Sequence, residues 1–322
     1  MPVTIRINNF NILFILLFKN IKRFLSRVAN CMKEDIFFIV NPIAGAKNKA
    51  PIPYNINKHI NRSVFNPEII FTDFSGHATQ LTKELLARSA KYVVAVGGDG
   101  TINEIATAMM NTEATLGIIP AGSGNGLARH LNIPMDIVKA IEAINSRKEI
   151  TIDCGNVNGR YFFCTAGVGF DAHIGKLFAE SERRGFGSYI YTTIKEFSGY
   201  QPLKYTITTN GYSEEIEAFS ITFANAAQYG NNAYISPEAD ISDGLLDICI
   251  LKPFPRHRAI EIGYRLFTKS LHKSRYLKII RAKKFTISRE EEGALHVDGE
   301  PILMGAEINV NAIPKSLRVL RG

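Results

Sequence analysis

The chain has 322 residues, 46% of them hydrophobic, which suffices for the cores of about two domains and excludes a disordered chain. Its four cysteines, Cys31, Cys154, Cys164 and Cys249, are scattered without a CxxC pair, arguing against a zinc site or a disulfide framework and for reduced thiols in a cytosolic protein. The net charge is +8, but Arg6, Lys19, Lys22, Arg23 and Arg27 supply +5 of it within residues 1–31, which hold no acid; the +3 that remains does not imply nucleic acid.

Residues 10–18 form a nine-residue, mostly apolar run followed by a basic stretch. A bilayer span needs about 20 apolar residues, so the run is too short to cross. A signal peptide fits poorly, because the basic residues follow the apolar run and no A-x-A-like site appears. Residues 1–31 therefore read as an extension: either a basic amphipathic anchor at a membrane surface, or a stretch outside the working protein, with Met32 as a natural start.

From Ile36 the pattern is strand, turn, helix, repeated. Apolar runs at 36–40, 68–72, 92–97 and 116–120 are separated by helical periodicity, which predicts βαβ units, a parallel sheet and a first domain over residues 32–150. In such sheets ligands sit beyond the carboxyl ends of the strands. That rule brings Asn41, Pro42, Ile43, Ala44 and Gly45 to one edge with Thr72, the turn Gly97-Gly98-Asp99-Gly100-Thr101, and a second glycine-rich turn around Ser123. Two glycine-rich turns, each running into a helix, suit phosphate, because free N–H groups at a helix start favour an anion. The plain alternative is an ordinary strand-to-helix turn. A carboxylate at Asp99 makes sense beside phosphate if a divalent cation accompanies it. Residues 47–60, with Pro51 and Pro53, are a poor helix and their form stays open.

Beyond Ile150 the apolar period alternates, so the second domain, residues 151–322, is predicted as a mainly antiparallel β-sandwich with its last strand returning to the first domain. Asn158-Gly159 and Asn210-Gly211 mark hairpins, the second pairing residues 204–208 with 219–224. One helix, over 259–271, interrupts the strands.

Together these motifs resemble the diacylglycerol kinase catalytic-domain family, in particular its soluble bacterial lipid kinases and the related sphingosine kinases. The resemblance runs from about Lys33 to the C-terminus. It rests on Asn41-Pro42-Ile43-Ala44-Gly45, Ser75-Gly76-His77-Ala78, the 97–101 turn, residues 120–129, Gly167-Val168-Gly169-Phe170-Asp171-Ala172, Ser242-Asp243-Gly244-Leu245-Leu246-Asp247 and Val297-Asp298-Gly299-Glu300-Pro301. It implies a nucleotide-binding α/β domain and a β-sandwich, with ATP in the cleft between them. By motif position, Asn41 to Gly45, Thr72, Gly97 to Thr101 and Ser123 would contact ATP. Asp240, Asp243 and the Leu245 carbonyl would hold a structural Mg²⁺, and Asp298 and Glu300 would form the acidic pair at the reaction centre. Two departures stand out: Ser123-Gly124-Asn125-Gly126 is closer to the sphingosine kinases, and Ala46 precedes Lys47 where a basic residue often follows the first loop's glycine. Without the resemblance, Asp298-Gly299-Glu300 reads equally as a solvated turn, and His77 as a capping or packing residue.

The expected activity is ATP- and Mg²⁺-dependent phosphorylation of a membrane-lipid hydroxyl, with diacylglycerol first and a sphingoid base second. A soluble NAD or sugar kinase and a non-catalytic lipid- or nucleotide-binding regulator are the alternatives. The glycine loops would hold phosphate, Asp99 would organise Mg²⁺, and Asp298 or Glu300 would accept the hydroxyl proton. Asp99→Ala and Asp298→Asn are each expected to abolish activity with a nearly intact melt. The partners expected are the lipid substrate and a membrane surface, with no nucleic acid and a homodimer left open. The place expected is cytoplasmic, at the inner face of the membrane. Arg183, Arg184 and Lys195, interleaved with Phe186, Tyr189, Tyr191 and Phe197, would also suit an anionic bilayer, or form a solvated helix face.

Overall fold

In the computed structural model, which describes residues 33–45, 51–181, 186–209 and 211–322, the apolar runs become strands β1 (Glu34–Val40), β2 (Phe65–Phe71), β3 (Tyr92–Gly97) and β4 (Thr115–Pro120). They pair in parallel in the order β2-β1-β3-β4. Every residue of β3 and β4 is buried, as an uninterrupted aliphatic strand covered on both faces requires. The covering helices are α1 (Pro51–His59), α2 (His77–Ala87), α3 (Asp99–Met109), the short α4 (Gly126–His130) and α5 (Ile137–Ser146). The stretch left open in the sequence is thus helical over α1, with Pro51 at its first position, where a missing N–H costs nothing. The anchor reading of residues 1–31, the start at Met32, the position of Lys47, and Arg183 and Arg184 of the bilayer reading lie outside the described residues.

The second half is antiparallel, as its alternating pattern requires. Strands β5 (Glu149–Val157) and β6 (Arg160–Phe162) close through Asn158-Gly159, with both residues at positive φ, the two-residue turn that matches strand twist. Strand β7 (Thr165–Gly169) runs straight into α6 (Phe170–Glu180), followed by α7 (Phe186–Phe197). The second predicted hairpin needs correcting: β8 (Leu203–Thr209) pairs with β9 (Tyr212–Ala218), while β10 (Ser220–Ala224) belongs to the other sheet. A sharp break at Ala218–Phe219 sends the chain between layers, which a strand-period pattern cannot show. After β11 (Leu246–Leu251) come α8 (Ala259–Phe267), β12 (Leu277–Ala282), β13 (Lys284–Ser288), β14 (Gly293–Val297), β15 (Glu300–Met304) and the 14-residue β16 (Glu307–Leu320). The single helix predicted for this half is joined by α6 and α7.

Two sheets result. One has six strands in the order β12-β11-β10-β7-β14-β15. The other has ten, because β16 pairs antiparallel with β13 and β5 and then in parallel with β4. The parallel sheet and one leaf of the sandwich are therefore a single hydrogen-bonded surface. Side chains alternate across the six-stranded sheet. Ile221, Phe223, Ile248 and Ile250 enter the core between the sheets, whereas Phe219, Cys249 and Leu251 enter a second core that also holds Phe170, Ile174 and Ile262 from α6 and α8.

Candidate active site

The strand order reverses between β1 and β3, and the crevice beyond their carboxyl ends is where α/β sheets bind ligands. A cleft of about 560 Å³ opens there. It is lined by Asn41, Pro42, Ile43, Ala44 and Gly45 after β1, Thr72 after β2, Gly98, Gly100 and Thr101 at the start of α3, Ser123 after β4, and Glu300 from β15. Asn41 locks the first loop to the second. Its Nδ2 donates to Thr101 Oγ1 at 3.0 Å, and its Oδ1 accepts from the Ile43 N–H at 3.1 Å. The loops after β3 and β4 approach so closely that a Cβ on Gly122 would collide with Gly98 Cα, so only glycine fits.

Gly97 and Asp99 do not line the cleft. Gly97 ends β3, and the Asp99 carboxylate turns inward: Oδ2 accepts the Asn125 N–H at 2.9 Å and Oδ1 the Gly126 N–H at 2.8 Å, at the start of α4. Asp99 therefore ties one glycine loop to the other. Burial of that carboxylate pushes its pKa up to about 6, with Asp298 adding to the rise and the two amides opposing it. Between about pH 4 and pH 6 the native state keeps a proton that the unfolded chain has released, so this group makes stability fall as pH rises through the window and leaves it flat above. In buffer with a chelator and no nucleotide, wild type should lose about 2–3 kcal/mol relative to Asp99→Asn between pH 4 and pH 7. A difference constant over that range, measured by urea denaturation, would contradict the buried carboxylate.

Asp298 and Gly299 form the two-residue turn between β14 and β15, both at positive φ. The turn is not merely solvated, because the Asp298 carboxylate points inward and is saturated. Oδ2 accepts from Asn103 Nδ2 at 2.8 Å and the Phe163 N–H at 2.9 Å; Oδ1 accepts from the N–H groups of Cys164 at 2.8 Å and Thr165 at 3.0 Å. Burial raises its pKa and these four donors hold it down. Glu300, two residues on, is the opposite case. Its carboxylate lies over Gly100 at the start of α3, where an added Cβ would overlap Oε1, and it makes no hydrogen bond within the described structure. Burial, then Glu104 and Asp298, raise its pKa, with Arg160 opposing. The acidic pair thus divides into a fixed carboxylate and a free one that faces the cleft. The expectation of an intact melt for Asp99→Ala and Asp298→Asn gives way to one of lost stability, since both carboxylates are structural acceptors.

Asp240, Asp243 and Leu245 lie apart from the cleft lining, in the turn before β11. Asp240 Oδ1 accepts from the Ser242 N–H at 2.9 Å and its hydroxyl at 2.7 Å, which lowers the Asp240 pKa, and Asp243 Oδ1 accepts the Leu245 N–H at 2.9 Å. Each carboxylate keeps Oδ2 outside these bonds. Sequence reading missed the residue that fastens this turn: buried Asp153 accepts the Gly244 N–H through Oδ2 and the Lys315 N–H through Oδ1, both at 2.6 Å, pinning the turn to the β16 bulge. It also missed Asn103 and Glu104. The latter lines the cleft and accepts the Gly76 N–H at 3.0 Å, while Asp73 is a further acid in the lining. His77 accepts the Asp73 N–H at 3.0 Å through Nδ1 and stacks on Phe74. Asp171 gathers Thr222 Oγ1, Tyr229 OH and His296 Nε2 at 3.0, 3.2 and 3.3 Å beneath the six-stranded sheet.

Comparison with known proteins agrees with this arrangement. The family model described as the diacylglycerol kinase catalytic domain matches residues 35–157, and the one described as the YegS C-terminal NAD kinase beta sandwich-like domain matches residues 164–321. A protein of Pseudomonas aeruginosa named "Probable lipid kinase YegS-like" is 30% identical over 248 residues, 76% of this chain and 81% of that one. A diacylglycerol kinase of Bacillus subtilis is 29% identical over 236 residues, 71% of this chain and 77% of the relative. The crystal structure of a diacylglycerol kinase from Bacillus anthracis superposes with a TM-score of 0.69 at 24% identity, covering 90% of this chain and 97% of the other, which speaks for the fold. With both domain models matched in order and a relative at 30% identity across most of either length, the chain belongs to the diacylglycerol kinase catalytic-domain family of lipid kinases, and it is a phosphotransferase.

Proposed function

We propose that the protein transfers the terminal phosphoryl group of ATP, with Mg²⁺, to a hydroxyl of a membrane lipid, diacylglycerol before a sphingoid base. The observation that carries this reading is the unpaired Glu300 carboxylate in a cleft walled by three glycine-bearing loops. Phosphoryl transfer needs positioned groups and neutralised charge more than covalent chemistry. The loops of residues 41–45, 98–101 and 122–123, with Thr72 and Thr101, would hold the nucleotide. Glu300 would take the proton of the attacking lipid hydroxyl, and Asp298 would hold the turn that presents it.

The donor chemistry fits a divalent cation. Asp73, Glu104 and Glu300 line the cleft with no basic side chain among the described lining residues, so a polyphosphate would enter negative surroundings alone. When bound, Mg²⁺ would screen that charge. Asp99 would steady the loops around it, and the hard oxygens of Asp240, Asp243 and the Leu245 carbonyl suit a structural Mg²⁺. The preference for diacylglycerol rests on what the relatives are named, and the Ser123-Gly124-Asn125-Gly126 loop keeps a sphingoid base second. ATP use and a lipid acceptor together call for peripheral association with the inner face of the membrane; no helix among the described residues is long and apolar enough to cross one.

Labelled ATP incubated with a total lipid extract, with and without a chelator, tests the reading by mass identification of the product. Phosphatidic acid formed only without chelator is the expected result. A phosphorylated long-chain base as the major product would replace the substrate. Label found only in NADP, when NAD is added, would overturn the lipid reading.

A further inference from the structure

The chain's positive charge is concentrated in a second place. Residues 252–275 contain seven Lys and Arg and one acid, Glu261, giving +6 of the chain's +8; with the +5 of residues 1–31 set aside, the rest of the protein is net −3. At the centre of this stretch is α8, which lies on the outer side of the six-stranded sheet, against the aromatic core of Phe170, Phe197, Phe219 and Phe254. Its inward face is Ile262, buried, with Leu266 packed one turn on. Its outward face is also apolar. Ile260 and Tyr264, one turn apart, are 85% and 69% exposed. Glu261 is held between Arg258 at 2.8 Å and Arg265 at 2.9 Å, so the single acid of the stretch is neutralised. Lys252, Arg256, Lys273 and Arg275 are exposed around the helix. The adjoining α7, joined at its end by Arg256 donating to the Ser198 carbonyl at 2.7 Å, exposes Tyr191 and Ile194 as well.

We infer that the outward face of α8 docks the enzyme on an anionic phospholipid bilayer, with Ile260 and Tyr264 entering the interface and the surrounding lysines and arginines meeting lipid phosphates. A helix with a bulky apolar stripe ringed by cations, on a protein whose remaining charge is negative, is complementary to such a surface. A water-soluble acidic partner would account for the charge and leave the exposed Ile260 and Tyr264 unexplained. The inference rests on the lipid-kinase reading only for its purpose, since the substrate hydroxyl of a lipid lies at the bilayer surface.

The test uses the full chain and vesicles of phosphatidylcholine with or without phosphatidylglycerol. Ile260→Glu/Tyr264→Glu should weaken sedimentation with phosphatidylglycerol vesicles by about tenfold or more, as loss of two buried apolar side chains predicts, and leave the rate on detergent-dispersed lipid unchanged. Lys252→Glu/Lys273→Glu, which removes no apolar contact, should weaken binding at low salt and converge on wild type at high salt. Wild-type binding by both variants would overturn the docking face. So would equal binding of wild type to pure phosphatidylcholine, or a shift from dimer to monomer in the Ile260/Tyr264 variant with vesicle binding kept, which would make the face a protein interface. Wild type that binds anionic vesicles yet phosphorylates no lipid in detergent would refute the kinase reading while supporting the docking face.

Discussion

Glu300→Gln is expected to lower lipid phosphorylation by about 10²–10⁴-fold, the usual contribution of a positioned acid–base group, with a melt shifted by no more than about 2 °C. The amide keeps the shape of the side chain and cannot take a proton. The fold loses nothing, because the carboxylate makes no hydrogen bond in the described structure. Its raised pKa, caused first by burial and then by Glu104 and Asp298, makes it a stronger base than a solvated glutamate, and activity should climb with pH as it ionises. Initial rates at saturating lipid and nucleotide, beside a thermal melt of the same sample, measure both effects. Near-wild-type turnover would move the base to another group.

Asp298→Ala is expected to do the reverse first: the fold should lose about 3–5 kcal/mol, since removing a buried acceptor strands donors at about 1–3 kcal/mol each and water reaches some of them. Four donors are at stake, Asn103 Nδ2 and the N–H groups of Phe163, Cys164 and Thr165. They belong to α3, to the turn between β6 and β7, and to the first residue of β7, so the carboxylate clamps the nucleotide-binding half to the sandwich. Activity should fall with it, as Glu300 follows in the same turn. Urea denaturation gives the measurement, and a midpoint equal to wild type would show that water replaces all four bonds. Together the two variants separate a carboxylate that reacts from one that holds: Glu300→Gln loses rate without stability, whereas Asp298→Ala loses both.

Much of the first half could be read locally. Residues 93–96 are buried on both faces because an unbroken aliphatic run has no polar side to offer water, and Asn158-Gly159 makes its hairpin because both residues tolerate positive φ. The glycine loops were legible for the same reason, each being a short backbone conformation encoded by its own residues. The motifs also brought Asp298 and Glu300 forward as a pair. Their division of labour was not legible, because it depends on which carboxylate meets the N–H groups 133 to 135 residues earlier. Separation in sequence also hid Asp153, whose partners are the Gly244 and Lys315 amides 91 and 162 residues on, and the inward turn of Asp99 onto Asn125 and Gly126, 26 and 27 residues on. The switch of β10 to the other sheet is likewise a pairing of remote segments, whereas the return of the last strand to the first domain was expected and β16 makes it by pairing with β4. The sequence by itself determined the alternation of elements and the residues that could bear charge or phosphate, since periodicity and turn chemistry act over a few residues. Only the tertiary structure decided which carboxylate is saturated, which is free, and which side of α8 is left facing water, because burial and hydrogen bonding are set by whatever the fold packs against each group.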